Sequence, residues 1–219
     1  MMDIEHKFKI NDTEHLVNEA YSTADVPVHV FPADQIQIGT GRSQRVGLQT
    51  IITKWISNVH IEYVDNGDGS RVNARPLSFR FIYLVDRQFN SSLSSISGTN
   101  LERNALAQAV LRSPTTYAVG AEKIDNLIIP HNYDYEDRFI YLHDEVVDVV
   151  PFAPDASPRR TISHSFSFPT GISQQYSSMQ EYAKTNAMFM LCFPIDKIVA
   201  ATDLYPQIRV INTQFYADQ

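Results

Sequence analysis

Between residues 49 and 64, apolar and polar side chains alternate. Ile51, Thr53, Trp55, Val59, Ile61 and Tyr63 take one side of a period-2 pattern, and Lys54, Asn58, His60 and Glu62 take the other. Such alternation predicts a long strand, or a bent pair, with one face packed and one face polar. Ahead of it runs Gly39-Thr40-Gly41-Arg42-Ser43-Gln44-Arg45-Val46-Gly47. Phosphate-cradling glycine loops follow a strand and open a helix, whose N-terminus meets the phosphates. Here a strand comes after the glycines, so that reading fails on context. The glycines instead predict a bending lead-in loop, with the guanidiniums of Arg42 and Arg45 facing a common surface.

The same period recurs along the chain. Val28 and Val30, bounded by Pro27 and Pro32, predict a short edge segment, because proline cannot donate to a ladder. Residues 77–85 are apolar on nearly both faces, which predicts a central strand. Residues 138–144 and 146–150 predict strand. Ile162, His164, Phe166 and Phe168 alternate with Thr161, Ser163, Ser165 and Ser167 and predict a half-buried strand. Residues 187–193 and 207–216 complete the set. Only residues 101–112 predict a helix: Asn100 can cap it, Leu101, Ala105, Val110 and Leu111 supply a stripe, and Pro114 closes it. Polar residues 171–185 predict a long loop. Many strands, polar loops and little helix predict an all-β sandwich or barrel.

Composition fits this reading. The 219 residues suffice for one domain with a sizeable core. The 12 Phe and 11 Tyr favour pleated surfaces. A net charge of −7 excludes a bulk polyanion binder and leaves nucleic-acid contact to a local basic patch. The single cysteine, Cys192, lies in an apolar run and reads as a small buried hydrophobe, which fits a reducing compartment. No apolar run spans a bilayer, so a soluble protein of cytoplasm or nucleus is expected.

Candidate chemistry is sparse. The run Asp65-Asn66-Gly67-Asp68-Gly69 misses the spacing of a calcium loop, whereas Asn-Gly and Asp-Gly are strong hairpin turns. His143-Asp144, with Asp134, Glu136 and Asp137 nearby, invites a metal site. Adjacent strand residues point to opposite faces, however, so the pair cannot easily share an ion. His164, on an apolar face, reads as a hydrogen-bonded core histidine. No nucleophile motif, zincin motif or phosphate loop is present. No enzyme, cofactor or metal is expected.

The order of features resembles a known family. The glycine-flanked Gln44-Arg45-Val46-Gly47 ahead of Ile51-Ile52-Thr53-Lys54-Trp55-Ile56 is similar to the start of the coat protein of circovirus-like, Rep-encoding single-stranded DNA viruses. Phe79-Arg80-Phe81-Ile82-Tyr83-Leu84-Val85-Asp86 through Asn90, Arg138-Phe139-Ile140-Tyr141-Leu142-His143-Asp144 and Tyr205-Pro206-Gln207-Ile208-Arg209-Val210 resemble three further strands of that family. The resemblance implies an eight-stranded jelly roll over residues 39–219, behind an acidic N-terminal segment, 1–38. It implies on the order of 60 copies in an icosahedral, T=1 shell around circular single-stranded DNA, within a virion assembled in the host cytoplasm or nucleus. Its partners would be further copies of the chain, the packaged DNA and a host-cell receptor, with no membrane. The arginine-rich arm usual in the family has no counterpart in residues 1–41, where Lys7 and Lys9 face seven acids. DNA contact would then fall to Arg42, Arg45, Lys54, Arg159 and Arg160, since phosphate contacts supply sequence-independent affinity. The other functions the pattern admits are a carbohydrate-type β-sandwich binding module and a metal-dependent hydrolase built on His143 and the acids at 134–137.

Overall fold

The computed structural model describes residues 6–16, 26–63, 77–88, 100–114, 125–149, 159–176, 183–194 and 206–218. The turn expected at residues 65–69 lies outside them. The strands are β1 (His6–Leu16), β2 (His29–Pro32), β3 (Gln49–Tyr63), β4 (Leu77–Asp86), β5 (Phe139–Val149), β6 (Arg159–Tyr176), β7 (Ala183–Thr185), β8 (Ala187–Pro194) and β9 (Pro206–Asp218). One sheet runs β1-β9-β3-β6-β7 and the other β2-β8-β4-β5, every pair antiparallel. Leaving out the three-residue β7, this is the order of a jelly roll: two four-stranded sheets, with the first strand beside the last and the second beside the next to last.

Two strands of the expected N-terminal segment, residues 6–16 and 29–32, belong to the sheets. β1 pairs with β9 along its whole length, and β2 forms the edge of the second sheet. The inward positions of β1 are polar. Lys7 is buried against Asp218 at 2.7 Å, and the Asn11 amide donates to the Ala33 carbonyl at 2.6 Å. Burial of paired polar groups in place of apolar ones hides the strand from a hydrophobic-pattern reading.

Trp55 marks the middle of the core. Its ring lies 5.7 Å from Tyr83 on the opposing sheet and 5.3 Å from Phe166 on its own, and its indole N–H donates to Asn212 at 3.0 Å. Aromatic burial of this kind stabilises a domain by roughly 2–3 kcal/mol per ring. β4, expected to be central, is flanked by β8 and β5.

The long alternation of β3 is broken at one point. Thr50 and Ile52 face inward, and beyond them Trp55, Ser57, Val59, Ile61 and Tyr63 do. Ile51 and Thr53, expected on the packed side, are half-exposed. The cause is a bulge: Ile52 pairs with Tyr216 and Lys54 with Phe215, leaving Thr53 as an extra residue that inverts the faces. Opposite it on β6, residues 168–171 bow out, where Pro169 has no N–H to donate and Gly171 takes φ +70°. The expected loop over 171–185 is therefore corrected in its first third, where β6 runs on to Tyr176, and at its end, where β7 returns to pair with it.

A layer of helix roofs the outer face of the second sheet. Besides the expected helix, α1 (Asn100–Val110), it holds a single turn, α2 (Asp125–Ile128), and a 3-10 turn at Tyr133–Tyr135. Arg80 of β4 clamps the layer, donating to the carbonyls of Asn126 (3.1 Å) and Ile129 (2.6 Å) and forking onto Asp144 of β5 (2.9 and 2.6 Å).

Candidate functional site

The five cations expected to meet DNA are not brought together. Arg42 is exposed on the tight turn at residues 41–44, where the Gln44 side-chain carbonyl accepts from the Gly41 N–H at 2.9 Å. Arg45, three residues on, is fully buried. Its guanidinium donates to the carbonyls of Ile36 and Gly47 and lies 4.3 Å over the ring of Tyr176. Burial lowers its pKa, as desolvation does for any cation. Arg45 therefore pins the lead-in loop to β6 and meets no solvent. The expectation that it shares a surface with Arg42 is corrected: the carbonyls of the loop outcompete solvent for its donors.

Lys54, Arg159 and Arg160 lie along the sheet. Arg159 and Lys54 belong to its outward face, while Arg160 takes the opposite parity at the exposed start of β6. Paired register builds this face as a grid. Phe8, Phe215, Lys54 and Ser167 stand side by side, as do Ile10, Thr213, Ile56 and Ser165 in the next row. Then come Asp12, Ile211, Asn58 and Ser163, followed by Glu14, Arg209, His60 and Thr161, with Glu62 beside Arg159 at the far end. One end is apolar and aromatic: Phe8 and Phe215 lie 6.4 Å apart, and the Lys54 ammonium is 5.9 Å from the Phe215 ring. The other end is salted, with Arg209 forked onto Asp12 and Arg159 3.9 Å from Glu62. Aromatic rings beside a cation can take a stacked base and its phosphate. The paired charges at the other end nearly cancel.

A second cluster was not foreseen. β5 is an edge strand of one sheet, and β6 lies at the rim of the other except where β7 pairs with its last residues; their side chains meet across the open side of the sandwich. Glu145 Oε1 lies 2.5 Å from His164 Nε2, and its Oε2 lies 3.9 Å from His143 Nε2. The two imidazole rings are 4.3 Å apart, and Tyr83 walls the inner side at 5.0 Å from His164. All three side chains are half-exposed. His143 and Asp144 do point to opposite faces, as alternation requires. The relevant partner of His143 was Glu145, two residues on, and the signal for it was the strand period itself. His164 is a hydrogen-bonded histidine at the sandwich rim instead of its core.

Asp144, on the other face, is held by Arg80 and by His131 Nε2 at 2.8 Å. Burial alone would raise its pKa, but these hydrogen bonds and charges hold it at about 2. The acids 134–137 are exposed and stand on the 3-10 turn and the residues after it. Among the described residues no helix is long and apolar enough to cross a membrane.

No protein-family model matches the chain, and no curated protein matches it. Among solved structures it is similar to the decameric BFDV capsid protein, with 8% identity over 99% of each chain and a TM-score of 0.33. It is also similar to Merkel cell polyomavirus VP1 in complex with disialyllactose, with 10% identity over 95% of each chain and a TM-score of 0.22. A third, the structure of infectious bursal disease virus Gt strain, gives 9% identity over 99% of this chain and 43% of that one, at a TM-score of 0.15. What makes the chain a jelly roll is its own strand order.

Proposed function

We propose that this chain is the structural subunit of an icosahedral viral shell that encloses single-stranded DNA. The observation that carries the reading is the jelly-roll strand order, with the four motifs of the coat-protein resemblance running into or along β3, β4, β5 and β9. Surface composition supports it. Ile38, Val46 and Leu48 are each at least half exposed on one lead-in loop, and Ile128, Tyr133 and Val146 are exposed on the other sheet's side. A domain whose core is already filled gains from covering such residues with further copies of itself. The genome would lie against Arg42, Lys54, Arg159 and Arg160, with Phe8 and Phe215 as a stacking platform beside Lys54. Arg45 serves the fold.

Light scattering and negative-stain microscopy of the purified protein test this. Uniform spheres of about 60 subunits are expected, with nuclease-protected DNA when they are made in cells. A monomer of 24.9 kDa at every salt concentration and pH tried would end the reading.

A further inference from the structure

We propose that His143, Glu145 and His164 form a binding site for one divalent transition-metal ion of the Zn2+ type. The site staples the free edges of the two sheets. Each residue offers one ligand atom, and these atoms all lie within 4.8 Å of one another. Around a tetrahedral zinc at roughly 2.0–2.2 Å, ligand atoms stand roughly 3.3 Å apart, so closure asks for side-chain shifts of up to about 1.5 Å. The half-exposed side chains are free to supply it.

The donor set decides the metal class. Two imidazoles and one carboxylate suit zinc, copper or nickel, whereas calcium and magnesium want shells of oxygen. In the ion-free arrangement Glu145 lies between two imidazoles, with Oε1 2.5 Å from His164 Nε2 and Oε2 3.9 Å from His143 Nε2. With two neutral imidazoles and one carboxylate, a bound Zn2+ leaves a net charge of +1 on the site. Tyr83 closes the inner side, and His143, the most exposed of the three, gives the path in. Three protein ligands leave a fourth position toward solvent for water.

The consequence is mechanical. Among the described residues β5 pairs only with β4, and β6 pairs with β3 and, at its far end, β7. No ladder joins β5 to β6, so the ion would supply a direct tie between the two sheets on that side of the sandwich.

Chelator-stripped protein titrated with ZnSO4, by calorimetry and by thermal unfolding, tests the proposal. We expect one Zn2+ per chain and a raised Tm, no shift with CaCl2 or MgCl2, and visible absorption bands of a tetrahedral site with CoCl2. Glu145→Gln and His143→Ala, both at half-exposed positions, should each weaken binding by about tenfold or more while keeping the wild-type circular dichroism. His60→Ala, beside Glu62 on the outward face, should leave binding unchanged. No saturable binding up to about 100 μM Zn2+, or wild-type binding in a folded His143→Ala/Glu145→Gln double variant, would overturn it.

Discussion

Arg45 lies fully buried with its guanidinium 4.3 Å above the ring of Tyr176, and through that contact the glycine-flanked loop is fastened to the end of β6. The backbone repeats the tie, since the Tyr176 N–H donates to the Leu48 carbonyl at 2.8 Å. The Arg45 side chain donates to the carbonyls of Ile36 and Gly47. Arg45→Met keeps the volume but takes these donors from the carbonyls of Ile36 and Gly47, so denaturant unfolding should show a loss of about 2 kcal/mol or more. Arg45→Lys should not restore it, because an ammonium offers no planar fork or stacking face. If Arg45 instead met phosphate, Arg45→Met would flatten the salt dependence of oligonucleotide binding and leave stability unchanged.

Asp86, with no exposed side-chain surface, receives both arms of Arg138, Nε at 2.9 Å and Nη2 at 2.7 Å. This pair joins the end of β4 to the residue just ahead of β5. The Asp86 hydrogen bonds raise the Arg138 pKa further. Breaking a buried pair from one side leaves an uncompensated charge or lost donors, and Arg138→Ala should cost about 3 kcal/mol by urea titration. Arg138→Lys should recover only part of it. Equal stabilities of wild type and Arg138→Ala would show the pair to be ornamental.

Gly171 sits at φ +70° opposite the β3 bulge, and a Cβ there would come within 2.2 Å of Ile51 Cγ2. Gly171→Ala should therefore cost about 1–3 kcal/mol from strain and overpacking together. The double variant Gly171→Ala/Ile51→Ala should recover part of the loss in the same unfolding assay. Without that recovery, the clash with Ile51 is not the cause.

The strands that bury apolar side chains were legible, because alternation records burial directly. Trp55, Val59, Ile61 and Tyr63 fell on the predicted face, and β4 was rightly central. Two things hid the rest. Thr53 inverts the faces of β3, and a single inserted residue leaves no mark in composition. Lys7 and Asn11 fill the inward positions of β1, so that strand reads as polar tail until its partners Asp218 and Ala33 are known. The cluster of His143, Glu145 and His164 was half legible. The i, i+2 pair follows from strand period, but the arrival of His164 depends on how two sheets close over one another.

Asp34 gives the fold a pH dependence that can be measured. Its carboxyl is fully buried in the segment after β2, with Oδ2 accepting from the Ala183 N–H at a long 3.4 Å. Burial raises its pKa from 3.8 to about 7, against backbone hydrogen bonds that pull it down. The folded state thus binds a proton that the unfolded chain releases, so stability from this group falls as pH rises from about 4 to about 7, and is level beyond. Asp144 works in the other direction. Held at about 2, it stabilises above pH 4 and loses that contribution as pH falls toward 2. The two groups together favour the region just above pH 4. If Asp34→Asn, which is neutral at every pH, matches wild type near pH 5, it should exceed it at pH 8 by about 3 kcal/mol, the loss over the two pH units up to about 7. Urea midpoints measured at both pH values decide it, and parallel curves for the two proteins would mean that Asp34 is already ionised in the fold at pH 5.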